Sequence, residues 1–162
     1  DFLILDLPPG TGDIQLTLTQ KIKMTGAIIV TTPQDIALSD VRKGADMFKK
    51  VNTPVLGVIE NMSGLFLSGN TNNPSSKIYI NNEELEIDVN GDFNINIDIF
   101  KKDGGQKESK RLGVPLLGKI PLSKEIMNAT DSGIPIVVSD SNQKTGEVYF
   151  SLADKVSKII KL

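Results

Sequence analysis

The stretch that decides the fold is FLILDLPPGTGD, residues 2–13. Its first four residues form a continuous apolar run, which predicts a strand buried on both faces of a parallel sheet. Asp6 ends this strand, a proline–glycine bend follows at residues 8–12, and Asp13 is a candidate N-cap for a helix over residues 14–23. Ligands of open α/β sheets bind at the edge where such strands end, so the stretch is also a candidate site.

The same alternation of strand and helix continues along the chain. Apolar runs at residues 27–30 and 55–59 predict two more buried strands. Between them we expect a helix that is capped by Ser39 or Asp40 and packs through Val41, Ala45 and Phe48. Strand, helix and strand at this spacing indicate right-handed crossovers in a parallel sheet.

The pattern resumes near the end of the chain. Residues 116–120 predict a fourth strand, and a short helix should run from about Ser123 to Ser132, where Gly133 and Pro135 stop it. A last helix over about residues 145–161 carries its apolar side chains on one face. The predicted fold class is therefore α/β, a mostly parallel sheet with flanking helices.

Residues 69–99 interrupt this pattern and predict a small antiparallel meander inserted into the α/β domain. After a polar loop, apolar runs at 77–80, 85–89 and 93–99 are separated by the turns Asn81-Asn82 and Asn90-Gly91. From Gly69 to Asp98 the segment has one Lys against six carboxylates, so its outer face should be acidic.

Composition excludes several classes of function. The 162 residues contain neither Cys nor His, which rules out disulfides, Ser-His-Asp triads, Cys nucleophiles and zinc sites of the usual type. A net charge of −2 gives no reason to expect nucleic acid, and no apolar run is long enough to span a membrane. We therefore expect a cytoplasmic protein whose chemistry uses carboxylates, hydroxyls, lysines and backbone amides.

The opening stretch matches the chemistry of a bound nucleotide. An apolar strand that ends in a carboxylate is a Walker B pattern, in which Asp6 would hold Mg²⁺, directly or through water. The backbone amides of Gly10, Thr11 and Gly12 could meet a γ-phosphate. The simpler alternatives are a structural Asp at a strand end and a tight turn before a capped helix.

A series of motifs in this order resembles the Mrp/ApbC-type P-loop ATPases, the iron–sulfur cluster carrier family related to MinD and ParA. The motifs cover nearly all of the chain outside the insertion; they are DLPPGTGD at 6–13, TTPQD at 31–35, VRKG at 41–44, GVIENMS at 57–63, DIF at 98–100, GVPLLGKIPL at 113–122 and DSGIPIV at 131–137. The resemblance implies a P-loop NTPase-like fold. Because Asp1 precedes a predicted buried strand directly, we expect residues 1–162 to form one ATPase domain that lacks its N-terminal βα unit.

The resemblance also implies roles for individual residues. Asp6 would be the Walker B carboxylate near Mg²⁺, and Gly10, Thr11, Gly12 and Asp13 would form switch II. Asn61 would offer its amide to the adenine edge, since an amide supplies both a donor and an acceptor. Pro121 and Leu122 would pack beside the base. The alternative for Asn61 is a simple turn residue.

Three departures from the family pattern affect what can be expected. The Walker A loop, the main phosphate cradle, does not occur in these residues, so this segment alone should be inactive. Many members carry a C-x-x-C pair after Asn-Met-Ser that is thought to bridge a cluster between two subunits, whereas this chain offers no thiolate. The family often has Asp after the Pro-Leu pair, where this chain has Ser123.

Two groups of basic residues have simpler interpretations than ligand binding. Lys101, Lys102, Lys107, Lys110 and Arg111 favour a solvated helix face over a nucleic-acid site. Lys155, Lys158 and Lys161 could mark a membrane-surface helix as in MinD, but the apolar stripe of that helix favours packing on the domain.

These expectations leave three hypotheses for function. The first is an ATP-binding and ATP-hydrolysing carrier or scaffold in iron–sulfur cluster assembly, with ATP and Mg²⁺ as cofactors, a homodimer as its state, and iron–sulfur client or assembly proteins as partners. The second is a positioning ATPase of the MinD/ParA type. The third is a non-catalytic interaction protein whose acidic meander recruits a partner.

Overall fold

The computed structural model describes residues 2–8, 12–80, 82–138 and 143–160. In chain order its elements are α1 (Asp13–Lys21), β1 (Ala27–Thr31), α2 (Asp35–Lys50), β2 (Val55–Asn70), β3 (Tyr79–Ile80), β4 (Glu83–Glu84), β5 (Asp92–Ile97), α3 (Gly104–Leu112), β6 (Leu116–Leu122), α4 (Lys124–Ser132) and α5 (Gln143–Ile160). The α/β class with a mostly parallel sheet is confirmed.

Strand β2 organises the main sheet. Its first half pairs in parallel with β1 on one side and β6 on the other, and its second half pairs antiparallel with β5. At Leu65 the strand faces Ile97 of β5 and Leu122 of β6 at once. Because β1, β2 and β6 are parallel, the residues at their carboxyl ends meet at one edge.

Two apolar clusters hold helices on opposite faces of this sheet. On one face Ala27, Ile29 and Val58 pack against Ala45, Met47 and Phe48 of α2. On the other face Leu117 and Ile120 of β6 pack against Leu152 of α5, with Ile59 and Val156 beside them. The predicted packing face of α2, Val41 with Ala45 and Phe48, is confirmed.

The prediction of a buried strand at residues 2–5 is wrong in this structure. Residues 2–8 form neither helix nor strand, and Leu3 and Ile4 are 84% and 87% exposed. A parallel strand is stable only when a neighbour satisfies its backbone groups. Among the described strands, β1 pairs with β2 alone, and residues 2–5 do not join either sheet.

Two predicted helix starts are also wrong. Helix α1 begins at Asp13, not Ile14, because Gly12 is its extended N-cap and Gly12 O accepts from Leu16 N at 3.2 Å. Helix α2 begins at Asp35 after the N-cap Gln34, so Ser39 and Asp40 lie inside it. Asp35 stands in the first turn, where a carboxylate is favoured by the helix dipole.

The insertion differs from the predicted three-stranded meander. Strands β3 and β4 form a two-residue ladder of their own, whereas β5 pairs with the second half of β2. The predicted strand at 85–89 is reduced to one bridge between Ile87 and Phe93. Pairing with β2 places β5 in the main sheet, where the backbone of residues 92–97 is hydrogen-bonded to residues 65–70. Of the two predicted turns, Asn90-Gly91 has Gly91 at φ 84°, and Asn81 lies outside the described residues.

The C-terminal elements follow the sequence closely. Ser123 caps α4 by accepting from Ile126 N at 3.1 Å, and Gly133 ends it in the left-handed region. Lys155 of α5 donates to Leu117 O of β6 at 2.6 Å, so α5 packs on the domain as the apolar stripe predicted. Lys161 lies outside the described residues. Within the ranges that the structure describes, no helix is both long and apolar enough to cross a membrane.

Replacing Leu117 by alanine should destabilise the protein by about 3 kcal/mol, because Leu117 is 1% exposed and fills the contact between β6 and α5. Equilibrium unfolding in urea measures this free energy. Ile36→Ala is the control, since Ile36 is 77% exposed and its removal should change stability by less than about 0.5 kcal/mol. Equal effects of the two changes would contradict the packing of α5 on β6.

Candidate functional site

The carboxyl edge of the parallel strands brings together three of the predicted site residues. Asn61 of β2 pairs with Ile120 of β6, which places it next to Pro121 and Leu122 on the neighbouring strand. All three residues are half-buried. The parallel register of β2 and β6 brings these residues, which are distant in sequence, onto neighbouring strands.

The amide of Asn61 has a defined orientation. Its Oδ1 accepts from the backbone N–H of Met62 at 2.9 Å, which fixes Oδ1 towards the main chain. The Nδ2 group is then directed away from Met62 N, and Oδ1 keeps one lone pair. Asn61 can therefore present a donor and an acceptor in one fixed order.

A bulge follows Asn61 and separates the parallel part of β2 from its antiparallel part. Between the pairs Asn61–Ile120 and Leu65–Leu122, β2 advances by four residues while β6 advances by two. Met62 has φ 54° and Gly64 has φ 89°, so both lie in the left-handed region. For Met62 this conformation costs about 1–3 kcal/mol and needs support from its surroundings.

Glu60 supplies a buried carboxylate directly before the bulge. Its side chain is 1% exposed. Oε2 accepts from Gly105 N at 2.6 Å, and Oε1 accepts from Ser63 Oγ at 2.6 Å. Lys119 Nζ lies 3.6 Å from Oε1, so an opposite charge accompanies the buried carboxylate. These contacts connect the end of β2 with the first turn of α3 and with β6.

Two glycines at the start of α3 permit this close approach. A Cβ on Gly104 would meet backbone atoms of Pro33 at 2.7–2.9 Å, and a Cβ on Gly105 would meet the Cβ of Glu60 at 2.8 Å. Such distances are shorter than real contacts, and a backbone neighbour cannot move aside easily. Residues 104 and 105 must therefore be small for Glu60 to reach the helix N-terminus.

Ion pairs hold the loop before α3 across this edge. Lys119 Nζ lies 2.7 Å from Asp103, Lys101 lies 2.6 Å from Asp35 of α2, and Lys102 lies 2.5 Å from Asp98. The hydrogen bond to Asp103 raises the pKa of Lys119, the charge of Glu60 adds to this, and burial opposes it. The same hydrogen bond lowers the pKa of Asp103.

Of the basic residues predicted to form a solvated helix face, several form ion pairs with carboxylates instead. Arg111 donates to Glu108 on α3, and Arg42 of α2 lies 3.4 Å from the same carboxylate. Glu108 is 1% exposed, so both arginines stabilise a buried charge. Lys101 and Lys102 also pair with carboxylates, whereas Lys107 and Lys110 are exposed on α3 as predicted.

A cavity of about 340 Å³ lies on the Glu60 face of the sheet. Its lining includes Pro33, Phe66, Phe100 and the three lysines Lys101, Lys102 and Lys119. Pro121 also lines this cavity, whereas Asn61 and Leu122 do not. Asn61 belongs to the opposite face, where its pairing partner Ile120 packs with Ile59.

The face that carries Asn61 is open on its β1 side. Val30 pairs with Ile59 and so lies on this face, and it is 55% exposed. Ile28, two residues earlier, is 37% exposed. A ligand can therefore approach Asn61 across β1, while α5 covers the β6 side.

The site residues predicted in the opening stretch are not held by contacts as defined as those around Asn61. Asp6 is exposed within residues 2–8, Gly12 is the N-cap of α1, and Asp13 is the first residue of that helix. Gly10 and Thr11 lie outside the described residues. Among the described residues, no three Asp or Glu side chains gather as a metal site. A single exposed carboxylate suits Mg²⁺, which usually binds one or two carboxylates together with water and phosphate oxygens.

Two buried polar residues, Gln15 on α1 and Glu60 on β2, were not predicted from the sequence. Gln15 is 5% exposed on α1 and donates to Pro8 O, which connects Pro8 to the helix. Glu60 appeared in the sequence only as the end of a strand. A carboxylate inside the apolar run VLGVIE was a signal that a buried charge must be compensated nearby.

The chain does not supply the usual ligands of an iron–sulfur cluster. It contains no Cys and no His, and after Asn-Met-Ser the chain continues as paired strand through Asn70. A cluster carried as cargo would therefore need ligands from elsewhere.

A family model described as "ParA: NUBPL iron-transfer P-loop NTPase" matches this chain over residues 1–90 and 83–157. An iron-sulfur cluster carrier protein of Aquifex aeolicus is 38% identical over 161 residues, covering 99% of this chain and 38% of that protein. Iron-sulfur cluster transfer protein NUBPL of Mus musculus is 40% identical over 161 residues, covering 99% of this chain and 43% of its own length. This chain thus spans about two fifths of these relatives.

Solved structures confirm the fold. A nucleotide-binding protein of Archaeoglobus fulgidus in complex with ADP matches with a TM-score of 0.52 and 27% identity, covering 78% of this chain and 43% of that one. The cell division ATPase MinD of Pyrococcus furiosus matches with a TM-score of 0.53 and 23% identity, covering 83% of this chain and 43% of that one.

The matched residues cover almost the whole chain, and they fold as the parallel sheet and flanking helices that MinD also contains. On these grounds the chain belongs to the ParA/NUBPL family of iron-transfer P-loop NTPases.

Proposed function

We propose that the protein binds and hydrolyses ATP with Mg²⁺ and serves as a carrier or scaffold in iron–sulfur cluster assembly. The observation that carries the proposal is the position of Asn61 beside Pro121 and Leu122 at the carboxyl edge of the parallel strands. Family membership and the names of the relatives support the iron–sulfur part.

In this proposal the two ends of the nucleotide meet different parts of the chain. The adenine base lies on the open face between Val30 and Asn61, with Leu122 beside it. Pro121 alternates to the other face of β6 and lines the cavity there, so it supports the base site from below. Ser123 caps α4 through its Oγ, so its hydroxyl has one donor left for a contact in this region. The base site is then built entirely from strand ends, which hold side chains rigidly.

The phosphates would face the bend between Asp6 and Asp13. Mg²⁺ would neutralise phosphate charge when bound, and Asp6 is the carboxylate that would hold it. Gly10, Thr11 and Gly12 would donate backbone amides to the γ-phosphate, and Asp13 would connect this bend to α1. Loss of that phosphate would release the bend, which is how nucleotide state could control cluster transfer.

The proposed state is a cytoplasmic homodimer that passes clusters to iron–sulfur client proteins. Since this chain offers no thiolate, the cluster ligands would come from other residues of the protein or from a partner. The alternative of a MinD-type positioning ATPase is less favoured, because α5 packs its apolar side chains Leu152 and Val156 on β6 and does not present them to a membrane.

Replacing Asn61 by alanine should weaken ATP binding roughly tenfold, because one or two net hydrogen bonds to the base are lost. The full-length protein is titrated with MgATP, and the rise in its melting temperature reports affinity. Asn94→Ala is the matched control, since Asn94 is an exposed asparagine on β5. Unchanged protection of Asn61→Ala would exclude Asn61 from the base site.

Replacing Asp6 by alanine should abolish the Mg²⁺-dependent part of ATP protection, because the change removes the carboxylate proposed to hold the ion. Protection is compared with MgCl₂ and with EDTA in the same full-length protein. Asp40→Ala is the control, since Asp40 is an exposed carboxylate on α2. A normal response of Asp6→Ala to MgCl₂ would overturn the metal assignment.

A further inference from the structure

The second half of β2 and β5 form an antiparallel ribbon that is apolar on one face and mostly polar on the other. Residues directly opposite each other in such a ladder point to the same face. The aliphatic and aromatic side chains of the two strands fall together in this way, and Ile87 joins them through its bridge to Phe93. We name this surface the ribbon face; its members are Leu65, Leu67, Ile87, Phe93, Ile95 and Ile97.

The ribbon face lies on the same side of the main sheet as Asn61. Leu65 pairs with Leu122 of β6. Leu122 stands two residues after Ile120, the partner of Asn61, so these side chains point to one side. The next residue along β2, Phe66, lines the cavity on the opposite side.

The ribbon face lies outside the core of the domain. Neither of the two apolar clusters that hold the helices on the sheet includes any of its side chains. Leu67 is 41% exposed, and the other five members are half-buried. An antiparallel sheet with one apolar and one polar face normally packs the apolar face on a core. In the described part of the chain, the two core clusters leave this apolar face uncovered.

Gly69 allows the ribbon face to be flat. It stands opposite Phe93 in the ladder, and a Cβ at residue 69 would overlap the Phe93 ring. The ring therefore lies across the backbone of β2. A flat apolar sheet face suits packing against a second sheet, at a distance of about 10 Å.

The carboxylates of β5 and of its turn lie away from the ribbon face. Asp92 accepts from Asn70, its partner on the polar face, and Asp98 lines the cavity on the Glu60 side. Asp88 accepts from the backbone N–H groups of Asn90 and Asp92 within the turn. The six members of the ribbon face carry no charge that could attract a charged partner. An identical face can meet it without bringing the carboxylates of β5 together.

We propose that the ribbon face is a self-association surface, on which two copies of this chain pack face to face about a two-fold axis. This inference rests on the proposed homodimer and adds the surface that joins its two copies. A two-fold interface uses the same patch on both subunits, and interfaces between identical subunits are more apolar than other protein contacts. An uncharged, flat apolar face is complementary to itself, which is what this symmetry requires.

The size of the ribbon face predicts a weak dimer. Strand β5 has 6 residues. At the usual strand rise and spacing, a ribbon of this length is about 20 Å long and, with the segment of Ile87, about 14 Å wide. Two such faces bury on the order of 600 Å², which is the range of weak and transient interfaces. We therefore expect monomer and dimer to exchange at micromolar concentrations.

The test is sedimentation equilibrium of the full-length protein without nucleotide, from about 1 to 500 μM. Leu67→Glu should raise the dissociation constant of the dimer roughly fiftyfold or more, because each dimer would bury two unpaired carboxylates. Ser68→Glu is the matched control, since Ser68 is exposed and points to the polar face one residue further along β2. It should leave the dissociation constant within about twofold. Melting temperatures show that each variant is folded. If Leu67→Glu does not fold, Ile95→Thr decides the question, since it keeps a β-branched side chain in the strand.

Each outcome bears on a different claim. If the protein dimerises and Leu67→Glu leaves its dissociation constant unchanged, the homodimer stands and the ribbon face is not its surface. A protein that stays monomeric over the whole range overturns both the homodimer and the inference. If Leu67→Glu then lowers the melting temperature of the monomer while Ser68→Glu does not, another segment of the same chain covers the ribbon face. Nucleotide binding is tested separately by Asn61→Ala.

Salt supplies a second readout on the unmodified protein. Raising NaCl from about 50 to about 500 mM should not weaken the dimer, because an apolar contact is not screened. A dissociation constant that rises tenfold or more over this range would indicate an interface of ion pairs and would overturn the inference.

Discussion

Strand β2 has to belong to a parallel sheet at one end and to an antiparallel ribbon at the other. Up to Asn61 its side chains are arranged by β1 and β6, and from Leu65 onward by β5. The two pairings are joined by the bulge at residues 62–64, whose left-handed backbone would be unfavourable without support. The hydrogen bonds of Glu60 to Ser63 and Gly105 provide that support, and the arrangement of the whole edge follows from them.

Helix α3 is held more by charge than by apolar packing. Its sequence GGQKESKRL contains one apolar side chain, Leu112, and its buried residues are Gly104, Gly105, Glu108 and Ser109. Its first turn bonds to Glu60 of β2, and its Glu108 meets Arg42 of α2. Breaking one partner of a buried charge pair typically costs 3–5 kcal/mol. The position of α3 on the sheet is therefore specific even though little apolar surface is buried there.

The features predicted correctly from the sequence are those with a local physical cause. Ser123 and Gly133 delimit α4 because a side-chain cap and a left-handed glycine act within one helical turn. Strands β1 and β6 were visible as short apolar runs bounded by turn residues. The position of Pro121 next to the strand that carries Asn61 follows from the parallel pairing of β2 with β6.

The predictions that failed depended on pairing partners. The run at residues 2–5 has the composition of a buried strand, but composition does not supply a neighbour to hydrogen-bond it. The same applies to residues 85–89. Strand β5 could pair with them or with the second half of β2, and it pairs with β2, the longer strand. Glu60 escaped notice because the three groups that satisfy its carboxylate include a backbone N–H 45 residues away, at a helix start with no side-chain signal.

The two halves of the candidate site would contribute differently to nucleotide binding. Phosphates carry most of the charge, so the bend after Asp6 would govern affinity and its dependence on Mg²⁺. The base carries little charge, and a fixed amide at Asn61 would add only one or two hydrogen bonds. Such a contact is useful only if the amide is held in place, because a misplaced donor or acceptor leaves a polar group unpaired. The backbone that carries Asn61 is held from the other face of β2, where the buried carboxylate of Glu60 accepts from Ser63 Oγ and Gly105 N.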